Sequence, residues 1–473
     1  MRSIDKIYLD GAFRTPHGTE PFTLMNPSTA RPIGTVILAD AEDAKAAIGA
    51  AKQAFASHSR TGKAERIEML AALGAAVRRR VEDIKAAMME EYGAPQQFAG
   101  WSARHAADCF ANAVKTLKDY AFARRINTTD VLMTPLGVVA LITPWNANAG
   151  FICSKLATAL AAGCTAVLKP SEMSAIQTQV VTEALHEAGL PAGLFNIVTG
   201  RGDVVGSVLT SHPDIAKVSF TGSTAVGKGI VRASADTLKR VTLELGGKSP
   251  TLILDDANLA DAIPMALQAG FMNSGQACIA GTRILVPESR LEEAKALARD
   301  AANAMRVGSP ADPESRVGPM VSQKQWERVQ GYIRLGLEEG AELVAGGEGK
   351  PEGLEGYFVK PTVFANVSND KRIAREEIFG PVVCLIGYRD EEDAIAIAND
   401  SLYGLQSYIL SADLARARRV AARLETGRVI INGAPHEPLA PFGGFKQSGI
   451  GREFGIFGLE AYLEPKSVLM PAA

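Results

Sequence analysis

The chain has 473 residues and a formal net charge of −2, with 47% hydrophobic and 22% charged residues. A single core rarely grows past about 250–300 residues, so at least two globular domains are expected. The near-neutral balance gives no electrostatic basis for binding nucleic acid or an anionic membrane, and the 5 cysteines and 6 histidines are too scattered for a disulfide framework or a metal-ligand cluster.

The opening MRSIDKIYLDGAF is charged and lacks the apolar run of a secretory signal. The most apolar stretch, residues 136–168, is broken by Pro144, Asn146, Asn148 and Lys155 and does not read as a membrane span. A reducing, cytoplasmic setting is the expectation. The first third reads as helix-rich. Asp40 stands at an N-cap position with Asp43 three residues on, ahead of an Ala-rich run to about Ala56. Ile67, Leu70, Leu73, Val77 and Val81 recur at helical spacing and predict one or two longer helices over 62–92.

From Gly137 the pattern alternates. GVVALITPW, TAVLKPSE, LFNIVTG, AKVSFTG and RVTLELGG read as strands, with helices between them at about 150–162 and 176–187. That rhythm predicts a parallel sheet with right-handed crossovers. A second alternating region, about 250–431, holds TLILDD, RILVP, VVCLIGY and RVIIN as strands, and GGEGKPEGLEG reads as a surface loop.

Several strand ends carry residues with chemical potential. In GQACIAG, Cys278 sits among small residues, where a thiolate would be accessible and backbone N–H groups would lower its pKa; taken alone, a cysteine more often serves as a small buried hydrophobe. In LELGGKSP, Glu244 lies in an apolar strand end, where burial would raise its pKa and suit it to general-base work; a structural ion pair is the plainer reading. FTGSTAVG runs from a strand into a glycine and a helix start, a ready pyrophosphate site but not the G-x-G-x-x-G fingerprint. In ITPWNAN, Asn146 would donate to an oxyanion or simply cap the next helix. KPSE and EEIFGPVV complete the set, each an ordinary turn by itself.

The order PWN, KPSE, FTGST, LELGGK, GQAC, EEIFGPV and PFGGFKQSGIGRE resembles the aldehyde dehydrogenase superfamily over essentially the whole chain. The resemblance implies Cys278 as nucleophile, Glu244 as general base, and Asn146 with the Cys278 N–H as oxyanion hole. It implies NAD as cofactor, with NADP as an alternative, held by Ile142, Thr143, Trp145, Lys169, Ser171, Glu172, Gly222, Ser223, Leu245, Glu377 and Phe379. Many relatives place an acidic residue after Gly-Ser-Thr; here it is Ala225. The substrate walls would be Ala147, Phe151, Met272, Ala277, Ile279 and His436, a mainly apolar pocket for a neutral or medium-sized aldehyde. No basic residue is expected in that pocket, and His436 and Glu437 are the polar residues expected at its mouth. A metal is not implied.

The implied fold is α/β. A discontinuous Rossmann-like dinucleotide-binding domain would take 1–118 and 136–246, and an α/β catalytic domain 247–448. A small oligomerisation arm would take 119–135 and 449–473 and serve a homodimer or homotetramer. Glu464 would pair with Arg240 and Arg452 in a buried network. The readings weighed against this are a semialdehyde dehydrogenase of a catabolic pathway and a cofactor-independent thiol hydrolase or acyltransferase. The latter needs a histidine partner for Cys278, and His436 is the candidate.

Overall fold

A computed structural model describes residues 1–471. An 8-stranded sheet forms its first half. The strands Arg240–Glu244, Ile215–Thr221, Val138–Ile142, Thr165–Lys169 and Phe195–Ile197 lie parallel in that spatial order. Side chains of a strand alternate between faces. Val138, Ala140 and Ile142 therefore pack with Ala44, Ala47, Ile48 and Ala51 of the helix Ala41–His58. Val139 and Leu141 pack on the other face with Ile152, Leu156 and Leu160 of the helix Asn148–Ala162. Helices cover both faces, which is why these strands read as unbroken apolar runs.

The 7-stranded second sheet runs Glu342–Ala345, Thr362–Ala365, Val382–Tyr388, Arg283–Pro287, Pro250–Ile253, Gln406–Leu410, Arg428–Ile431. All its pairings are parallel except that of Glu342–Ala345. Leu252, Leu285, Cys384 and Ile386 face one core, and Ile253, Ile284, Val286 and Leu385 the other.

The helix-rich reading of the first third missed the strands Arg2–Ile4, Ile7–Leu9, Ala12–Arg14, Glu20–Asn26 and Arg31–Leu38, which precede the first helix. They are short or contain proline. Ile7–Leu9 joins the first sheet through Tyr8 opposite Ile197 and carries Ala12–Arg14 at the sheet's edge, and Arg31–Leu38 is the middle strand of a separate 3-stranded sheet. The 62–92 region divides into Lys63–Arg79, Val81–Ala87 and a π-turn Met88–Tyr92 that ends at Gly93.

Leu463–Leu469 pairs antiparallel with Thr129–Pro135, whose other edge carries the exposed strand Ala123–Ile126. Gly449–Ile450, placed with the arm by the expected division, pairs with Leu243 and Glu244 at the edge of the first sheet. Glu464 does bind Arg240, at 2.6 Å, but the two side chains are 44% and 61% exposed. Arg452 instead donates to the carbonyls of Gly444 and Gly451. The buried three-member network is therefore not formed within the chain, and so open a pair is worth at most about 1 kcal/mol. No helix is long and apolar enough to cross a membrane, among the described residues.

Asp40 and Asp43 close a capping box at the start of the first helix. Asp43 is buried and accepts from the N–H groups of His17, Gly18 and Asp40 at 2.8–3.0 Å. Asp43→Ala would strand those donors and is expected to lower unfolding stability by about 2–4 kcal/mol in urea titration. A loss below about 1 kcal/mol would show that the box does not hold the entrance of the first sheet.

Candidate active site

In the first sheet, the strand Val138–Ile142 lies between Thr165–Lys169 and Ile215–Thr221. Successive connections leave it in opposite directions, the switch point at which open α/β sheets bind ligands beyond the carboxyl ends of their strands. ITPWNAN, KPSE, the Gly222-Ser223 turn and the Gly246-Gly247 turn all leave the sheet at this end. Cys278, Glu377 and Phe379 lie just before the second-sheet strands Arg283–Pro287 and Val382–Tyr388, at that sheet's amino ends. The candidate site sits between the two.

Close backbone packing joins the halves. A Cβ on Gly247 would fall 2.3 Å from the Cys278 carbonyl oxygen, and one on Gly246 would fall 2.4 Å from Glu377 Oε2. A Cβ on Gly275 would fall 2.1 Å from the Gly380 oxygen. The turn before Cys278 is left-handed at Asn273, Ser274 and Gly275, with φ of 52°, 58° and 72°. Two of these are not glycine, a strain that persists only where the surroundings enforce it. The surroundings do so: Asn273 Nδ2 donates to the Asn146 and Gln276 carbonyls, and Asn146 Nδ2 donates to Gln276 O at 3.0 Å. Gln276 is anchored in turn to Tyr92, Pro319 and Val321. Asn146 is therefore no helix cap. The cap position falls on Ala147, which makes no side-chain cap bond.

The chemistry-bearing groups are largely desolvated. Burial raises the Glu244 carboxyl well above the ordinary range; Glu453 adds to this, and Lys155 and Arg452 oppose it. Neither Glu244 oxygen has a hydrogen-bond partner. Glu453 itself pairs with Lys155 and accepts from Ser219 in the same interior. Cys278 is partly exposed, whereas the other cysteines are buried. Its thiol is nevertheless pushed up to about 12 by burial, then by Glu377 and Glu244, against a smaller lowering by Arg428. The expected lowering by backbone N–H groups loses to desolvation.

Cys278, Glu244 and Asn146 line a common cavity of about 500 Å³. Ala147, Phe151, Met272, Ala277, Ile279 and His436 line it too, as expected. So does Arg428, contrary to the expectation of a pocket without a basic residue. Gln406, Tyr408 and His105 add further polar groups, while Glu437 is not in the wall. Arg428 Nη1 donates to His436 Nδ1 at 2.9 Å. Burial, with help from Arg428 and His105, pushes His436 down to about 4, so the ring is neutral.

On the nucleotide side, Ser223 caps the helix Thr224–Ala235, whose first turn contains no acidic residue. The start of a helix at a parallel strand's carboxyl end suits a phosphate, and Ala225 leaves it free of negative charge. Gly227 lets this helix close on Leu245, where a Cβ would lie 2.6 Å from Leu245 Cδ2. Ser171 caps the turn Glu172–Ser174, and Lys169 bonds Glu172 at 3.2 Å. Trp145 packs edge-on to Phe379, with ring centroids 5.4 Å apart, and Phe379 holds a φ of 62°. Glu377 accepts from Gly247 N–H at 3.0 Å, and burial raises it to about 7. Ile142 is buried, and Thr143 spends its hydroxyl on Asn148 and its N–H on the Lys169 carbonyl. These residues fit a dinucleotide.

The aldehyde dehydrogenase family profile matches residues 13–468. A 3-succinoylsemialdehyde-pyridine dehydrogenase of a Pseudomonas species is 45% identical, with 99% of each chain covered. The chain belongs to the aldehyde dehydrogenase family. Among solved structures, aldehyde dehydrogenase C of Pseudomonas syringae, complexed with NAD+ and octanal, superposes with a TM-score of 0.98 at 42% identity. That match covers 99% of this chain and 98% of the other. An aldehyde dehydrogenase of Mycobacterium tuberculosis complexed with NAD+ gives 0.96 at 41%, covering 99% and 98%.

This family member also carries positioning residues to which the sequence reading gave no role. Asn148, the last residue of ITPWNAN, is fully buried and ties Thr143 to Ser174 and Thr178, fixing the turn that carries Asn146. Lys155 is the charged residue of a largely buried helix, a signal readable once the apolar run is taken as helix.

A carboxyl with a raised pKa keeps its proton when folded and loses it when unfolded. Glu244 therefore costs no stability below its unfolded pKa, and an increasing amount as pH rises from there towards its folded value. Glu244→Gln removes that cost. The ligand-free variant should unfold at nearly the wild-type temperature at pH 5 and progressively above it towards pH 8. A difference in Tm that stayed flat or reversed with pH would show that Glu244 is ionised at rest.

Proposed function

We propose that this family member oxidises an aldehyde to a carboxylic acid through a thioester on Cys278. What carries the reading is the convergence of Cys278, Glu244 and Asn146 on one cavity beside a dinucleotide-compatible switch point. Bound NAD would supply the hydride acceptor. Ser223, Gly222 and the helix start would hold its pyrophosphate, Lys169, Ser171 and Glu172 its adenine ribose, and Glu377 its second ribose. Trp145 and Phe379 would border the ring, and Ile142, Thr143 and Leu245 would shape the floor.

The thiol of Cys278 enters the reaction neutral and must first lose its proton. Glu244, in the same cavity and free of other partners among the described residues, is the base available once its own carboxyl has ionised. The thiolate adds to the carbonyl carbon, and Asn146 Nδ2 with the Cys278 N–H takes the developing oxyanion. After oxidation to the thioester, Glu244 passes the thiol's proton to solvent and then removes one from water; attack of that water releases the acid and the Cys278 thiolate, which takes the proton back from Glu244. Its unusually high pKa suits a group that must take a proton from so weak an acid.

A thiol hydrolase is disfavoured because His436, the histidine that reading needs, is turned to Arg428 and lowered to about 4. A medium-sized, neutral aldehyde fits the predominantly apolar wall. The semialdehyde named for the Pseudomonas relative and the octanal of the P. syringae complex both fall within this size range. A cytoplasmic homodimer or homotetramer, with the exposed strand Ala123–Ile126 in the contact, completes the proposal, as do the expected domain divisions.

Cys278→Ala should abolish aldehyde-dependent NADH formation while retaining NAD binding by calorimetry. Glu244→Gln should release about one equivalent of NADH per site and then slow by about 10²-fold or more. A Cys278→Ala variant that still turned over, or a Glu244→Gln steady state equal to wild type, would refute the scheme.

Glu172 would accept from the ribose 2′-hydroxyl and repel a 2′-phosphate. NAD should therefore give a higher kcat/KM than NADP, with Glu172→Gln narrowing the ratio. A wild-type preference for NADP would overturn the assignment of Glu172.

A further inference from the structure

Arg428 opens the strand Arg428–Ile431, directly opposite Gln406 on the neighbouring strand, and lines the same cavity as Cys278. Its Nε donates to Gln406 Oε1 at 2.5 Å and its Nη1 to His436 Nδ1 at 2.9 Å, both neutral acceptors. No carboxylate lies within 4.0 Å of it, among the described residues. The guanidinium also sits 5.1 Å from the ring centre of Phe442. A guanidinium carries five N–H donors, so three make no hydrogen bond to the protein.

Arg283, a structural arginine of the same sheet, shows the contrast. It is 1% exposed and uses all three nitrogens, on the carbonyls of Lys248, Ile397 and Ala398 and on Asn369 Oδ1. Holding a partly desolvated cation without a counter-ion is costly, and Arg428 shares its cavity with the apolar side chains of Phe442, Phe454, Ile430 and Trp101. His436 extends the same donor patch. With Nδ1 accepting from Arg428 and the ring neutral, its proton lies on Nε2.

We infer that Arg428, supported by Gln406 and His436, is a specificity-determining residue that binds an oxygen acceptor of the substrate remote from the aldehyde. The substrate class is an aldehyde with a second carbonyl or carboxylate oxygen, its remaining carbon framework packed on the aromatic wall. This rests on the reading of Cys278 as the aldehyde-oxidising centre and narrows it, since a plain alkanal offers no acceptor to the three remaining N–H groups. The cavity of about 500 Å³ has room for a ring beyond that oxygen.

The test is kcat/KM for hexanal, 4-oxo-4-phenylbutanal and succinic semialdehyde, in wild type, Arg428→Met and Arg428→Lys, with unfolding temperatures recorded alongside. Wild type should prefer at least one oxygen-bearing aldehyde over hexanal. In Arg428→Met that preference ratio should fall about 10- to 100-fold, the effect of losing a hydrogen bond to a charged group. Arg428→Lys should keep part of it, and decides the matter if the Met variant does not fold. A fall confined to 4-oxo-4-phenylbutanal assigns a neutral carbonyl, and one confined to succinic semialdehyde assigns a carboxylate. The inference is overturned if both ratios stay within about twofold of wild type. It is equally overturned if all three substrates decline together, which would mean that Arg428 acts on the Cys278 thiol alone. Should wild type oxidise none of the three, the aldehyde-oxidising reading of Cys278 itself fails, and this inference with it.

Discussion

Everything at the candidate site depends on how closely two backbones approach where the sheets meet. Gly246 and Gly247 follow the strand that ends in Glu244, and neither leaves room for a Cβ: the neighbours are Glu377 and the carbonyl of Cys278. Gly275 lies against Gly380 in the same way, and a Cβ on Gly443 would fall 2.8 Å from Glu244 Oε1. The glycines therefore do more than turn the chain. They let the segment after Glu244 pack directly on the second sheet's approach to Cys278, and a methyl group at Gly247 would push against the Cys278 backbone itself.

That packing creates an electrostatic problem, and the site uses it. Burial raises Glu244, Glu377 and Cys278 alike; the two carboxyls raise the thiol further, and Glu453 raises Glu244 further. The resting cavity consequently holds its protons. Lys155 opposes the rise at Glu244, and Arg428 opposes it at Cys278. The thiol and the carboxyl are thus both neutral at rest, and the reactive form is the one in which Glu244 has lost its proton and can take that of Cys278. The cost is borne by stability, since an unpartnered buried carboxyl does nothing for folding.

Much of this was legible in the sequence. Alternating apolar runs from Gly137 onward gave away the parallel strands, because strands covered on both faces need no polar alternation. Asp40 and Asp43 marked a helix start by spacing alone. The order of the motifs pointed to the family, and the cavity gathers the predicted Cys278, Glu244, Asn146 and pocket-wall residues. The failures have physical causes. The first five strands are short or carry a proline, with little periodicity to read. Arg428 sits in RVIIN, where its charge looks like an exposed strand start, and only the register against Gln406 brings it to the cavity. The thiol pKa was misjudged because local backbone N–H groups are visible in a motif, whereas burial and carboxyls 34 and 99 positions away in the chain are not.

In the proposed reaction the Cys278 thiol and the Glu244 carboxyl act on one bound acyl group. Mass spectrometry of Glu244→Gln, quenched after mixing with aldehyde and NAD, tests this. The peptide containing Cys278 should gain the mass of the acyl group in near-stoichiometric amount, and the other four cysteines should remain unmodified. NADH formed in that mixture with no acyl adduct on Cys278, or with the adduct on another residue, would contradict it.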